Sequence, residues 1–62
     1  MTSEPAREDI DITGLAAGGD GLGRMADGRV AFVPRTAPGD RVRVRVVASQ
    51  KSFVRAEVDA LV

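Results

Sequence analysis

The chain has no cysteine and no histidine. Without thiols there is no disulfide framework and no thiolate metal site. Without imidazole, the commonest acid/base at neutral pH and the commonest metal ligand are both missing. Tryptophan and tyrosine are absent too, and the aromatic inventory is two phenylalanines, so a core has to be built from Val, Ile, Leu, Ala and Met. No apolar run approaches the roughly 18 residues needed to span a bilayer, so no membrane partner is expected. The first nine residues carry Glu4, Glu8 and Asp9 against the single Arg7, the wrong sign and too polar for a secretory signal. That, with the lack of cysteines, makes the cytoplasm the expected location. At 62 residues there is one domain at most, near the lower limit for folding unaided.

What is present is unevenly distributed. Residues 1–23 hold five acids (Glu4, Glu8, Asp9, Asp11, Asp20) and one base. Residues 24–56 hold eight bases (Arg24, Arg29, Arg35, Arg41, Arg43, Arg45, Lys51, Arg55) against Asp27 and Asp40. The planar guanidinium suits phosphate and base stacking, so the basic middle points to an anionic partner for one face. The other reading is that the charges neutralise one another on the fold.

Residues 1–8 show no periodicity and read as a disordered acidic lead; residues 9–62 read as one barrel. Asp9–Thr13 alternates as a strand with Ile10 and Ile12 inward, and Leu15-Ala16-Ala17 breaks parity as a bend or bulge. A glycine-rich loop, residues 18–23, runs into a short strand ending near Met25. Asp27-Gly28 between apolar stretches predicts a two-residue type I′ hairpin, pairing Met25 with Val30, Arg24 with Ala31 and Gly23 with Phe32. The following Val30-Ala31-Phe32-Val33 is apolar on both sides, so its core face stays open. Pro34 ends that strand, and Pro38-Gly39 fits the centre of a type II turn. Arg41–Val46 alternates cleanly. A last strand puts Val54, Ala56, Val58 and Ala60 inward and Phe53, Arg55, Glu57 and Asp59 outward. Five short strands with Gly/Pro turns and no helical stripe predict an all-β barrel, OB-like or SH3-like.

Two registers of the last two strands keep the valine rows on one face. One pairs Val44 with Ala56, Arg43 with Glu57 and Arg41 with Asp59, leaving Arg45 opposite Arg55. The other pairs Arg45 with Glu57 and Arg43 with Asp59. The shorter loop favours the first, which leaves a phosphate-seeking arginine pair beside Lys51 and Phe53.

Several chemistries are excluded. The glycine run does not complete G-x-G-x-x-G, because position 24 is Arg, and no helix or G-K-[ST] follows. The aspartates adjoin glycines or strand edges, and a paired-carboxylate site needs a cleft that so small a barrel lacks. The chain therefore has no catalytic residues of its own and no metal site. The Arg41/Arg43/Arg45 stripe reads either as a solvated strand face or as a binding face. Phe53 among Lys51, Arg55 and Arg45 reads as a stacking platform for an unpaired base or as a ring tucked against the barrel's open end.

Gly19-Asp20-Gly21-Leu22-Gly23-Arg24, Asp27–Pro34, Ala37–Val44 and Arg55-Ala56-Glu57-Val58 stand in the order and spacing of the TRAM domain, which the chain resembles from about Asp9 to Leu61. The resemblance implies a five-stranded OB-like barrel that binds RNA, either rRNA or tRNA. Such domains accompany S-adenosylmethionine-dependent RNA uracil-5-methyltransferases and radical methylthiotransferases of tRNA. A chain that starts at Met1 and stops after its last strand fits the N-terminal piece of the former. S-adenosylmethionine would then serve a later catalytic domain, a further partner of the barrel. Free-standing TRAM proteins resembling cold-shock RNA chaperones are the alternative. A barrel docking on its catalytic domain through Val30–Val33 is another. On this reading Arg24, Arg35, Arg43, Arg45, Lys51 and Arg55 contact phosphates and Phe53 stacks on a base. Arg35-Thr36 departs from the small residues, often Gly-Ala, usual after the proline.

Overall fold

The alternation written into residues 41–46 folds as it reads: Val42 and Val44 point into a closed barrel and the arginines between them point out. The computed structural model describes residues 7–61. Its strands are β1 (Arg7–Leu15), β2 (Gly21–Arg24), β3 (Val30–Val33), β4 (Arg41–Ser49) and β5 (Phe53–Leu61), closed in the order β1-β2-β3-β5-β4. Every joint is antiparallel except β3–β5, which is parallel. This is the expected five-stranded OB-like barrel. Its core is Ile10, Ile12, Met25, Ala31, Val33, Val42, Val44, Val54 and Ala56, with Val46 and Val58 packed against it. No aromatic ring enters that core, so its stability rests on many small apolar burials.

So thin a core closes because both buried positions of β2 are glycine, with neighbours pressed close against them. A β-carbon at Gly23 would lie 2.8 Å from the Asp11 carbonyl oxygen and from Ile10 Cδ1. One at Gly21 would fall on Thr36 Oγ1, a buried hydroxyl that donates to the Val33 carbonyl at 2.9 Å. These two glycines serve close approach rather than sharp turns. Where β1 meets β2 the register shifts between Ile12 and Gly14, a bulge that bends β1 so that its first half pairs with β4 and its second with β2.

The β1–β2 and β2–β3 hairpins turn on the same device. The Gly19 amide donates to Ala16 O and the Ala16 amide to Asp20 O; the Gly28 amide donates to Met25 O and the Met25 amide to Arg29 O. Gly19 and Gly28 each have φ 94°. This is a type I turn closed by a left-handed glycine, the three-residue hairpin with a G1 bulge. The two-residue turn expected at Asp27-Gly28 needs positive φ at both residues, and only Gly28 has it. The pairing therefore slips by one: Arg24 faces Val30, Gly23 faces Ala31 and Leu22 faces Phe32. A one-residue slip exchanges faces, so Ala31 and Val33 are interior and Val30 and Phe32 lie on the outer surface. The expected pairing of Gly23 with Phe32 does not form.

Two other expectations are corrected. The lead was expected to reach residue 8, but β1 begins at Arg7, and the Glu8 carboxylate accepts the Ala26 amide of the β2–β3 turn. The rest of the expected lead, residues 1–6, lies outside the described residues. In β4–β5 the pairs are Val44–Val58, Arg45–Glu57 and Val46–Ala56, the register two residues from the preferred one. A bulge between Val46 and Ala48 keeps the two valine rows on one face, and it leaves Val47 53% exposed. Beyond a second shift at Arg43/Val44, Ala60 faces outward, not inward. The Pro38-Gly39 turn is as expected, with Gly39 at φ 99° and the Asp40 amide donating to Ala37 O at 3.0 Å.

Arg35 stands at φ 65°, a left-handed conformation that a residue with a β-carbon adopts at roughly 1–2 kcal/mol and glycine adopts freely. Urea unfolding tests both local constraints. Gly23→Ala should lower stability by about 1–3 kcal/mol, because the β-carbon meets backbone and core together. Gly18→Ala, with nothing within 4 Å of its new methyl, should stay within about 0.5 kcal/mol of the parent. Arg35→Gly should raise the urea midpoint by the equivalent of up to about 1 kcal/mol, relief of the strained φ exceeding glycine's chain entropy.

Candidate nucleic-acid interface

The outward arginines of β4 are flanked by strands carrying acids at matching heights. Arg41 Nη1 meets Asp11 Oδ1 at 2.9 Å, Arg43 Nε meets Asp9 Oδ1 at 2.8 Å, and Arg45 Nη2 meets Glu57 Oε2 at 2.8 Å. Arg7, facing Arg45 across the ladder, turns to Asp59 at 3.2 Å. Four cations and four anions thus share the β1–β4–β5 surface. All are well exposed, so solvent screens each pair and stability gains little. The consequence for function is larger: the stripe is neutral. Arg43 and Arg45, expected among the phosphate contacts, are already engaged, and Arg45 faces Glu57 rather than Arg55. The guanidinium hydrogen bond from Arg43 holds the Asp9 carboxyl below the usual carboxylate range, and Asp9 in turn raises Arg43.

The cations left over lie elsewhere. Register carries two outer rows across β2, β3 and β5: Arg24–Val30–Phe53, and Leu22–Phe32–Arg55. On the diagonal between the rows the rings of Phe32 and Phe53 meet edge to face, centroids 5.5 Å apart at 89°. Both rings are half-buried, with an arginine at the end of each row. Arg55 and Lys51 are exposed and have no acidic partner among the described residues; Arg24 donates only to the Gly28 carbonyl, at 2.9 Å. Such a surface can hold a polyanion by charge and its bases by stacking.

Of the sequence-derived candidates, the paired rows bring together Arg24, Phe53 and Arg55, and Lys51 lies in the β4–β5 loop two residues before Phe53. The structure leaves Arg43 and Arg45 in the neutral lattice. Arg35 sits apart beyond β3, on an open depression of about 350 Å³ shared with Pro34, Glu57 and Val58. Phe32 belongs to the patch and was missed, because the hairpin register was set one residue off; a three-residue turn at Asp27-Gly28 would have put it outside. The docking face expected at Val30–Val33 reduces to Val30 and Phe32, since the other two side chains are interior. Arg29 serves the fold instead. It bonds Asp27, Ser49 Oγ and the Gln50 carbonyl, tying the β2–β3 turn to the β4–β5 loop.

Comparison with known proteins gives a consistent picture. The family profile described as the TRAM domain matches residues 6–58. An uncharacterized RNA methyltransferase of Gloeobacter violaceus is 55% identical over 42 residues, covering 68% of this chain and 9% of that protein. One of Synechocystis is 46% identical over 50 residues, 81% of this chain and 11% of that protein. The 23S rRNA (uracil(1939)-C(5))-methyltransferase RlmD of Halomonas elongata is 38% identical over 56 residues, 90% of this chain and 12% of that protein. The chain thus spans about a tenth of the length of these relatives. Among solved structures, a conserved protein of Methanococcus maripaludis, determined in solution, superposes with a TM-score of 0.80 at 33% identity, covering 92% of this chain and 80% of that one.

The ionic surface also sets how the fold responds to acid. Asp27 is lowered like Asp9, chiefly by the backbone amide of Arg29 and then by its guanidinium. For carboxyls lowered in the fold, the stabilisation is complete above the unfolded value of about 3.9 and is lost as pH falls through the lower folded value. Denaturant midpoints measured from pH 7 to pH 2 should therefore be level down to about pH 4 and fall below it, and Asp9→Asn should make that fall shallower. A midpoint already declining near pH 6, or an unchanged acid limb in the variant, would contradict the assignment.

Proposed function

The chain belongs to the TRAM domain family, and from that membership we propose that it is the RNA-binding module of an S-adenosylmethionine-dependent RNA (uracil-5-)-methyltransferase, presenting rRNA or tRNA to a catalytic domain in the cytoplasm. The observation that carries the reading is the pair of outer rows on β2, β3 and β5, where two arginines bracket an edge-to-face phenylalanine pair beside Lys51. Each arginine and the lysine can displace a counterion from a phosphate, which supplies affinity without sequence preference. The exposed ring surface stacks on unpaired bases, which single-stranded or loop RNA offers and duplex does not. The Arg7–Asp59, Arg41–Asp11 and Arg43–Asp9 pairs take no part, so RNA lies along one side of the barrel and the other stays open to the rest of the enzyme.

The chemistry belongs to the catalytic domain of the proposed parent.

A second reading is a free-standing RNA-binding protein of the cold-shock chaperone kind; in its favour, this chain matches 80% of the Methanococcus maripaludis protein, so a barrel of this kind can make up most of a chain. Melting of a short RNA hairpin by the chain alone would favour it over a delivery module.

Fluorescence anisotropy with a structured RNA over a salt series tests the interface. Three phosphate contacts predict a log–log slope near −2 on single-stranded segments. Arg24→Ala with Arg55→Ala should flatten that slope by about 1.4 and weaken binding. Phe53→Leu should weaken it at least fivefold, from a loss of about 1 kcal/mol or more of stacking. Arg41→Ala should leave the slope as it is. Absence of binding at low salt by a folded chain would sink the reading.

A further inference from the structure

We propose that the depression beside β5 is a base-specific subsite that takes an unpaired guanine from the bound strand; this rests on the RNA-binding reading above and adds a sequence preference to it. Pro34 and Arg35, following β3, and Glu57 and Val58 on β5 line an open depression of about 350 Å³, with room for a purine ring. Three separate features converge there.

The first is the acceptor. Glu57 Oε2 is held by Arg45 Nη2 at 2.8 Å, which orients the carboxylate on the surface; Oε1 engages no group among the described residues. An ionised carboxylate only accepts hydrogen bonds. Guanine alone among the RNA bases presents two adjacent donors, N1–H and N2–H, on its Watson–Crick edge. Adenine and cytosine set one amine beside an acceptor nitrogen that a carboxylate repels, and uracil sets its single N–H between two carbonyl oxygens. Pro34 and Val58 supply the apolar surface that a purine face needs.

The second is the cation. Arg35 is exposed and left-handed at φ 65°, where glycine would sit without strain. Strain held at a surface position is grounds for seeking a function there. A guanidinium at the rim serves the phosphate of the nucleotide whose base meets Glu57.

The third is spacing. Phe53, Arg55 and Glu57 are alternate outward residues of one strand, about 6.6–7 Å apart at each step, comparable with the phosphate repeat of an extended single strand. An RNA strand stacked on Phe53 and held at Arg55 therefore reaches Glu57 within the next nucleotides.

Anisotropy with the 62-residue chain, an octauridylate and the same strand carrying one central guanosine tests the subsite. The guanosine strand should bind about fivefold tighter or better, the lower end expected of a two-donor base contact. Inosine in its place, lacking the N2 amine, should lose most of that gain, and this arm needs no protein variant. Glu57→Gln should bring the uridylate and guanosine strands to equal affinity, whereas Arg55→Ala should weaken both alike. Equal affinity of the parent chain for all strands, or a guanine preference that survives Glu57→Gln, would overturn the subsite and leave RNA binding standing. No binding to any strand by a folded chain would overturn both.

Discussion

Everything in this barrel depends on how closely its neighbours press on the two buried glycines of β2. At Gly23 a single methyl group would strike the Asp11 backbone and Ile10 together, and at Gly21 it would fall on Thr36 Oγ1. That proximity lets five short strands close around nine buried apolar side chains without one aromatic ring inside. A wider barrel would need larger residues to fill it, and the chain has only two rings in all. Because closure is achieved with aliphatic residues alone, both phenylalanines are released to the surface, where they meet each other across the β3–β5 joint.

A second consequence concerns charge. A chain of zero formal charge is a poor ligand for a polyanion unless its charges are sorted. Here β1 and β5 bring Asp9, Asp11, Glu57 and Asp59 to the arginines of β1 and β4, and that part of the surface cancels. The same pairing leaves Arg24, Lys51 and Arg55 without acids among the described residues. The fold thereby concentrates a modest excess of positive charge where the rings are exposed, which charge and stacking both require of a single-strand binding surface.

The architecture was legible because it was encoded locally. Alternation in Arg41–Val46, the Pro38-Gly39 turn and the breaks at Gly and Pro are short-range signals, and each appears in the structure. What failed was register. At Asp27-Gly28 a two-residue and a three-residue turn share the same residues, and only the sign of φ at Asp27 distinguishes them. In β4–β5 a bulge at Val46/Ala48 altered parity without any glycine or proline to announce it. Both errors moved functional side chains: the first hid Phe32, and the second placed Arg45 against Arg55 instead of Glu57. The acids on Arg41 and Arg43 come from β1, some thirty residues away, a distance over which alternation alone carries no information.

The parallel β3–β5 joint has a bearing on when this surface comes into being. Hairpins β1–β2 and β2–β3 can zip locally, but β1–β4 and β3–β5 join segments far apart in sequence, and such non-local contacts form slowly, after their loop entropy has been met. During synthesis from the N-terminus the seam stays open until β5 has emerged. Both rows of the patch cross that seam, so the RNA surface is assembled last and exists only in the closed barrel. A strand of RNA lying across it binds the finished fold and not its precursors, and so acts as a clamp on the slowest joint.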